Sequence, residues 1–239
     1  MKKPGVGFWL FFCCFSLCVQ AFAPQASGQE ISAEESERNE QAVLDALRPI
    51  LKSMGAGARL NYHAICREIN NEKTVLFPRV NVQPSSSGSA STAVVRQLFA
   101  PDDRVVVADG AAGLIRIRIG DVNAAFLQTK IANLRLNALQ QYNPYFALGA
   151  IESTSEFQSA VEKLHIYDVP VVIGGLVVEP EPRLPHLPSV ITNVTIDQVL
   201  DAIAKTFGGI VAYGECNSPV DNTPCVVLTF AFARTLGTP

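Results

Sequence analysis

Histidine is scarce in this 239-residue chain, which carries only His63, His165 and His186 beside one Trp, two Met and six Cys. Charged residues make up 17% of it and the formal net charge is −3, which excludes a disordered acidic tail and a basic nucleic-acid arm. Reaction motifs are lacking too: there is no G-x-S-x-G elbow, P-loop, dinucleotide fingerprint or H-E-x-x-H. His63 and Cys66 have a ligand-like spacing, but no second pair completes a four-ligand zinc site. The paired carboxylates Asp102-Asp103 and Glu34-Glu35 fall at a turn and a helix start, where each has an ordinary structural role. The sequence therefore assigns no catalytic, cofactor-binding or metal-binding residue. With 48% hydrophobic residues, it does provide for a sizeable core.

The apolar residues are unevenly spread. Lys2 and Lys3 precede the run GFWLFFCCFSLCV, followed by small residues and then by polar Gln25, Ser27, Gln29 and Glu30. This is the layout of a secretory signal, with the best cut after Ala21 and a less favourable one before Pro24. An uncleaved anchor is the alternative, but the run is shorter than the roughly 20 residues a span needs. A lipid-anchored start is disfavoured because Leu17 is bulky before Cys18. Cleavage would take Lys2 and Lys3 from the 19 basic residues, leaving 17 against 22 acidic ones, a net charge of −5. The expected location is periplasmic or secreted, in the cell envelope.

Cleavage would also leave three cysteines, Cys66, Cys216 and Cys225. In an oxidising compartment two of three can pair. Cys216 and Cys225 flank NSPVDNTP, a loop signal between two strands, so the expected disulfide is Cys216–Cys225. Cys66 is then a small buried apolar group or a redox-active thiol.

Along the chain, Ser32 and Glu35 form a capping box ahead of Val43, Ala46, Leu47, Ile50, Leu51 and Met54 at helical spacing, ending at Gly55. Pro49 is expected to kink or split this amphipathic helix. RLNYHAIC and TVLFPRVNVQ (74–83) read as strands, and 85–91 as a flexible loop. Val94, Val95, Leu98 and Phe99 give a short helix, and 104–108 with 114–120 a hairpin. In the latter strand Arg116 and Arg118 lie opposite Ile115, Ile117 and Ile119. That basic face is read as solvated in preference to anion-binding. Phe126, Leu127, Ile131 and Leu134 fit a helix opened by Asp121 or Asn123. Asn143-Pro144 opens another, and a box at Ser153 and Glu156 restarts it. VPVVIGGLVV is a buried strand or apolar loop.

EPEPRLPHLP (179–188) reads as a stiff polyproline-like linker with a solvent-facing His186. Beyond it, SVITNV is a strand, and Thr195 and Gln198 box the start of a helix with Ile196, Val199, Leu200, Ile203 and Phe207 on one face. IVAY and CVVLTFAF are two further strands. The order β-α-β-β also fits 74–119. The fold expected is α+β: a signal over 1–21, a helix and linker over 22–57, an α+β unit over 58–178, the linker 179–188 and a C-terminal β-α-β-β unit over 189–235.

NVTIDQVLDAIAKTFGGIVAY resembles the short N-terminal domain of secretins and TonB-dependent receptors, over about 45 residues. The shared pattern is a strand ending in Val-Thr, an acidic first helical turn, Leu200 and Ala202-Ile203, and a strand after the turn. The resemblance implies a small periplasmic domain that contacts partner proteins, and it carries no functional residue over. The chain departs from the family in having no barrel or pore sequence after this segment. The expectation is an exported envelope module that binds a protein or peptide without catalysis. Its competitor is an enzyme, such as a hydrolase using Ser or Cys66. No nucleic-acid partner is expected.

Overall fold

Gly57, with no side chain, allows helix and sheet backbones to touch, and the architecture is built around that strand. In the computed structural model, which describes residues 32–83, 90–111, 113–170, 180 and 183–233, strand β1 (Gly57–His63) lies between two parallel neighbours from distant parts of the chain. These are β5 (Leu114–Ile119), with Gly57 opposite Leu114, and β9 (Gly209–Asn217), with Ala58 opposite Ile210. β4 (Val105–Asp109) pairs antiparallel with β5, and β10 (Pro224–Phe232) antiparallel with β9. The short β7 (Tyr167–Val169) adds to β10 in parallel, giving the order β4-β5-β1-β9-β10-β7. Two antiparallel pairs stand apart: the hairpin of β2 (Ile65–Ile69) with β3 (Glu72–Leu76), and β6 (Lys130–Arg135) with the distant β8 (Val190–Thr195).

Alternation of side chains along these strands feeds two cores. On one face Ala58, Leu60, Ile115, Ile117, Ile119, Ile210 and Ala212 pack under α1 (Ala33–Met54) and α2 (Thr92–Leu98). On the other, Val211, Tyr213, Val226, Leu228 and Phe230 pack under four helices. These are α3 (Ala124–Leu127), α5 (Pro144–Glu152), α6 (Ser155–Lys163) and α7 (Ile196–Phe207). A short α4 (Ala138–Tyr142) precedes α5. The protein is thus α+β, with helices on both faces of a mixed sheet. No helix among the described residues is long and apolar enough to cross a membrane.

Several helix starts fall where their caps place them. The Ser32 side chain accepts from Glu35 N, Asn143 from Tyr145 N, and Thr195 from Gln198 N in a complete capping box. Other expectations are corrected. α1 is not split at Pro49 but continues through it as one helix of 22 residues. β3 stops at Leu76, before Phe77-Pro78, so 77–83 is not strand. Ile131 and Leu134 belong to β6 and not to a helix, because α3 ends at Leu127 and the chain then pairs with β8. The N-cap of α6 is Thr154, not Ser153. The separate units 58–178 and 189–235 share one sheet and one compact body from Ser32 onward, since β1 pairs with β9 and β6 with β8. The linker joins that body as well. Leu187 is buried and donates its N–H to Gln141 O, while exposed His186 stacks on Tyr142 with ring centroids 4.9 Å apart. The signal segment, most of loop 85–91 and the apolar run beyond Pro170 lie outside the described residues.

Two polar devices brace the sheet. Arg59, 1% exposed on β1, faces Asp197 (3.4 Å) and Asp201 (3.7 Å) on α7, and Arg116 of β5 bonds both carboxylates from the rim. The basic face read as solvated is therefore tied to α7 at Arg116, and only Arg118 of the two arginines is fully exposed. Buried Asp102 accepts from Arg104 Nε (2.8 Å), Arg104 Nη2 (2.6 Å) and Asn81 N (3.3 Å).

A Cβ on Gly57 would lie 2.1 Å from the Ala204 carbonyl oxygen, a backbone atom of α7 that cannot rotate away. Gly57→Ala is expected to cost about 3 kcal/mol by forcing helix and sheet apart. An unchanged denaturation midpoint would show that α7 does not sit there. The hydrogen bonds from Arg104 hold the Asp102 carboxyl down at about 2, below its ordinary 3.8. Because the folded value is the lower one, its contribution is present above pH 4 and is lost as pH falls from about 4 to 2, on the order of 2 kcal/mol. Acid titration of wild type against Asp102→Asn tests this: the variant should be less stable at neutral pH and lose less on acidification.

Candidate functional site

β1 and β9 are adjacent parallel strands, and their carboxyl ends lie side by side, with His63 opposite Glu215. In an open sheet, ligands settle in crevices outside the carboxyl ends of such parallel strands. A cavity of about 300 Å³ lies there. It is lined by His63 at the end of β1, Asp121 and Asn123 after β5, and Glu215, Cys216 and Asn217 at the end of β9. Phe126, Leu164, Ile166 and Tyr213 supply apolar wall, and Pro224, Cys225 and Val226 close it from β10.

Glu215 organises the polar groups. Its residue is 7% exposed, yet both oxygens are engaged. Oε2 accepts from the Tyr213 hydroxyl at 3.0 Å, and Oε1 accepts from the Asn123 backbone N–H and lies 3.4 Å from His63 Nδ1. Burial, and then the Glu215 charge, hold the Tyr213 phenol well above its ordinary range, so it stays a donor. A carboxylate only accepts, so the Nδ1 of His63 that faces it is the donor. The arrangement suits a donor group of a ligand: an oriented imidazole and a fixed carboxylate in an apolar-walled cavity.

Beneath this crevice the expected disulfide is corrected. The bridge joins Cys66 to Cys216, with Cα atoms 5.3 Å apart across a sequence separation of 150. Cys225 is a buried free cysteine. Cys216 and Cys225 are indeed opposite each other on adjacent strands, as the loop signal implied. However, β2 follows β1 across the same end of the sheet, with Ala64 N donating to Glu215 O, and this brings Cys66 against Cys216. The three Sγ atoms all lie within 4.8 Å of one another. A hydrolase built on a Cys66 thiol loses its nucleophile here, because that sulfur is bonded to Cys216.

His63 is thus a crevice residue, through Glu215 and not through Cys66, whereas His186 lies apart on Tyr142. Glu34 pairs with Arg38, Glu35 with Arg79, and Asp102 with Arg104, so these carboxylates are structural. Glu215 escaped the sequence reading. Its signal was a lone carboxylate in the otherwise apolar run GIVAYGEC, all of which is buried strand. No protein-family model matches the chain, and no curated protein or solved structure matches it significantly.

In the chain-entropy treatment, a bridge closing 150 residues stabilises by about 5 kcal/mol, against about 2.7 for a ten-residue loop. The pair Cys225→Ala and Cys66→Ala/Cys225→Ala isolates it, since neither variant can re-pair elsewhere. The double variant is expected to be less stable by between about 2 and 5 kcal/mol in urea, and insensitive to reductant. A difference under about 1 kcal/mol would mean the bridge is not a staple.

Proposed function

We propose that this is an exported cell-envelope module that binds a segment of a partner protein in the crevice at the carboxyl ends of β1 and β9, without catalysis. The observation that carries the reading is the place and lining of that crevice: it lies at the carboxyl ends of two adjacent parallel strands and joins apolar wall to Glu215, Asp121 and His63. The two carboxylates, Glu215 and Asp121, favour a basic side chain, lysine or arginine, at the tip of the bound segment. The disulfide supports export, because such bonds persist in oxidising compartments. The basic start and apolar run of residues 1–21 support the same route. The β8-α7-β9-β10 order is compatible with the partner-binding domains that this segment resembles.

The test is capture from envelope extract by the exported protein, whose mass should begin at Phe22. A stoichiometric partner is expected on wild type and at least tenfold less of it on Glu215→Gln or Leu164→Asp. Equal capture by all three would move the interface elsewhere. Clean lanes at several bait concentrations, or a chain retaining Trp9, would count against the module.

A further inference from the structure

Three sulfurs in mutual reach form more than a structural bridge, and this goes beyond the binding role. We propose that Cys66, Cys216 and Cys225 form a thiol–disulfide exchange centre that moves the bridge between two positions. The resting bond joins β2 to β9; the alternative joins β9 to β10. The Cys225 thiolate attacks Cys216 Sγ, the Cys66–Cys216 bond breaks, and Cys216–Cys225 forms. Cys66 leaves as thiolate and takes up the proton that Cys225 gave. One disulfide and one thiol stand on each side, so neither oxidant nor reductant is consumed.

The geometry brings the three sulfurs together in register. Cys225 is in register with Cys216 on the neighbouring antiparallel strand, both side chains belong to the same core, and the attacking and leaving sulfurs are each within 4.8 Å of the central one. Opposed residues of such a pair fall within the Cα separation a disulfide spans, so the product needs no rearrangement of the sheet. All three sulfurs are buried, and the reaction needs no outside reagent. Burial raises the Cys225 thiol above its ordinary value; the Lys73 ammonium opposes this and the Asp221 carboxylate adds to it. Exchange is therefore slow at neutral pH and quickens as pH rises.

The consequence lies in the hairpin β2–β3. In the resting state it is bonded to β9 one residue from Glu215. After exchange it is held only by non-covalent contacts, among them Lys73–Asp221 at 2.8 Å and Lys73 over the Tyr167 ring. Movement of the bond thus removes the hairpin's covalent tie to β9, next to Glu215, while the sheet keeps a bridge.

The experiment uses the oxidised exported chain at pH 8 with no added thiol. It is alkylated in the native state over time with iodoacetamide and its bridges are mapped by peptide mass. Label is expected to accumulate on Cys66 in molecules bridged Cys216–Cys225, and to fall at least tenfold on Cys66 in Cys225→Ala. The proposal is overturned if label reaches only Cys225 with Cys66–Cys216 intact throughout, or if Cys66 is labelled equally in both proteins. Cys66→Ala gives an independent reading: formation of Cys216–Cys225 with no free thiol supports exchange, and two free thiols in the folded, air-oxidised variant refute it.

Discussion

Burial of one guanidinium constrains this fold more tightly than any apolar contact. Arg59 sits in the central strand, almost wholly withdrawn from water, and burial pulls its pKa down to about 10. A buried charge of that kind is tolerated only beside compensating charge, and leaving it unpaired would cost several kcal/mol. Asp197 and Asp201, one turn apart on α7, provide the compensation, and Arg116 closes the group from the rim. The helix therefore has one acceptable position over β1. Gly57 makes that position attainable by letting the α7 backbone rest on the strand. An apolar residue at position 59 would pack with less electrostatic demand, but it would not fix the rotation of α7 about its own axis.

β9 extends this logic to the other end of the sheet. Its odd-numbered residues Val211, Tyr213 and Glu215 face the α7 side, while Ala212 and Cys216 face the α1 side. Two successive residues thus serve different devices: Glu215 collects Tyr213, Asn123 and His63 at the crevice, and Cys216 holds Cys66. Gly214, just before them, leaves room for the Tyr62 ring, which a Cβ there would meet at 2.4 Å. The crevice and the sulfur centre are mechanically one place, because a shift of the β9 end by a fraction of an ångström moves both.

How much of this was legible follows from which interactions are local. The caps at Ser32, Asn143 and Thr195, the hairpin of β4 and β5, and the apolar stripe of α7 are written within a few residues, and each was readable. β6 was not: Ile131 and Leu134 are three apart, which suits a helix face as well as a strand, and only pairing with β8 decides between them. The merging of the two expected units was hidden for the same reason, since parallel pairing of β1 with β5 and β9 leaves no turn signal behind. His63 and Glu215 sit 152 positions apart, so no spacing rule reaches them. The cysteines show the limit most plainly. Loop composition correctly brought Cys216 opposite Cys225, but it had no means of seeing the third sulfur arrive from β2.

That third sulfur bears on how such a sheet can be made at all. β1 must wait for β9, the far end of the chain, and pairings of such long sequence separation form late because loop closure must be met first. Cys216 and Cys225, nine residues apart on a hairpin, meet early. Oxidation of the folding chain would accordingly place the first bond between them. A fixed bond there would leave Cys66 unpaired and the long loop unclosed. With the three sulfurs within reach of one another, the early bond can pass to Cys66 once β2 has docked. The hairpin then gives up its short loop for the closure that restrains the unfolded chain most. Geometry that makes the bridge movable in the folded protein is thus also the geometry by which the more stabilising bridge is reached.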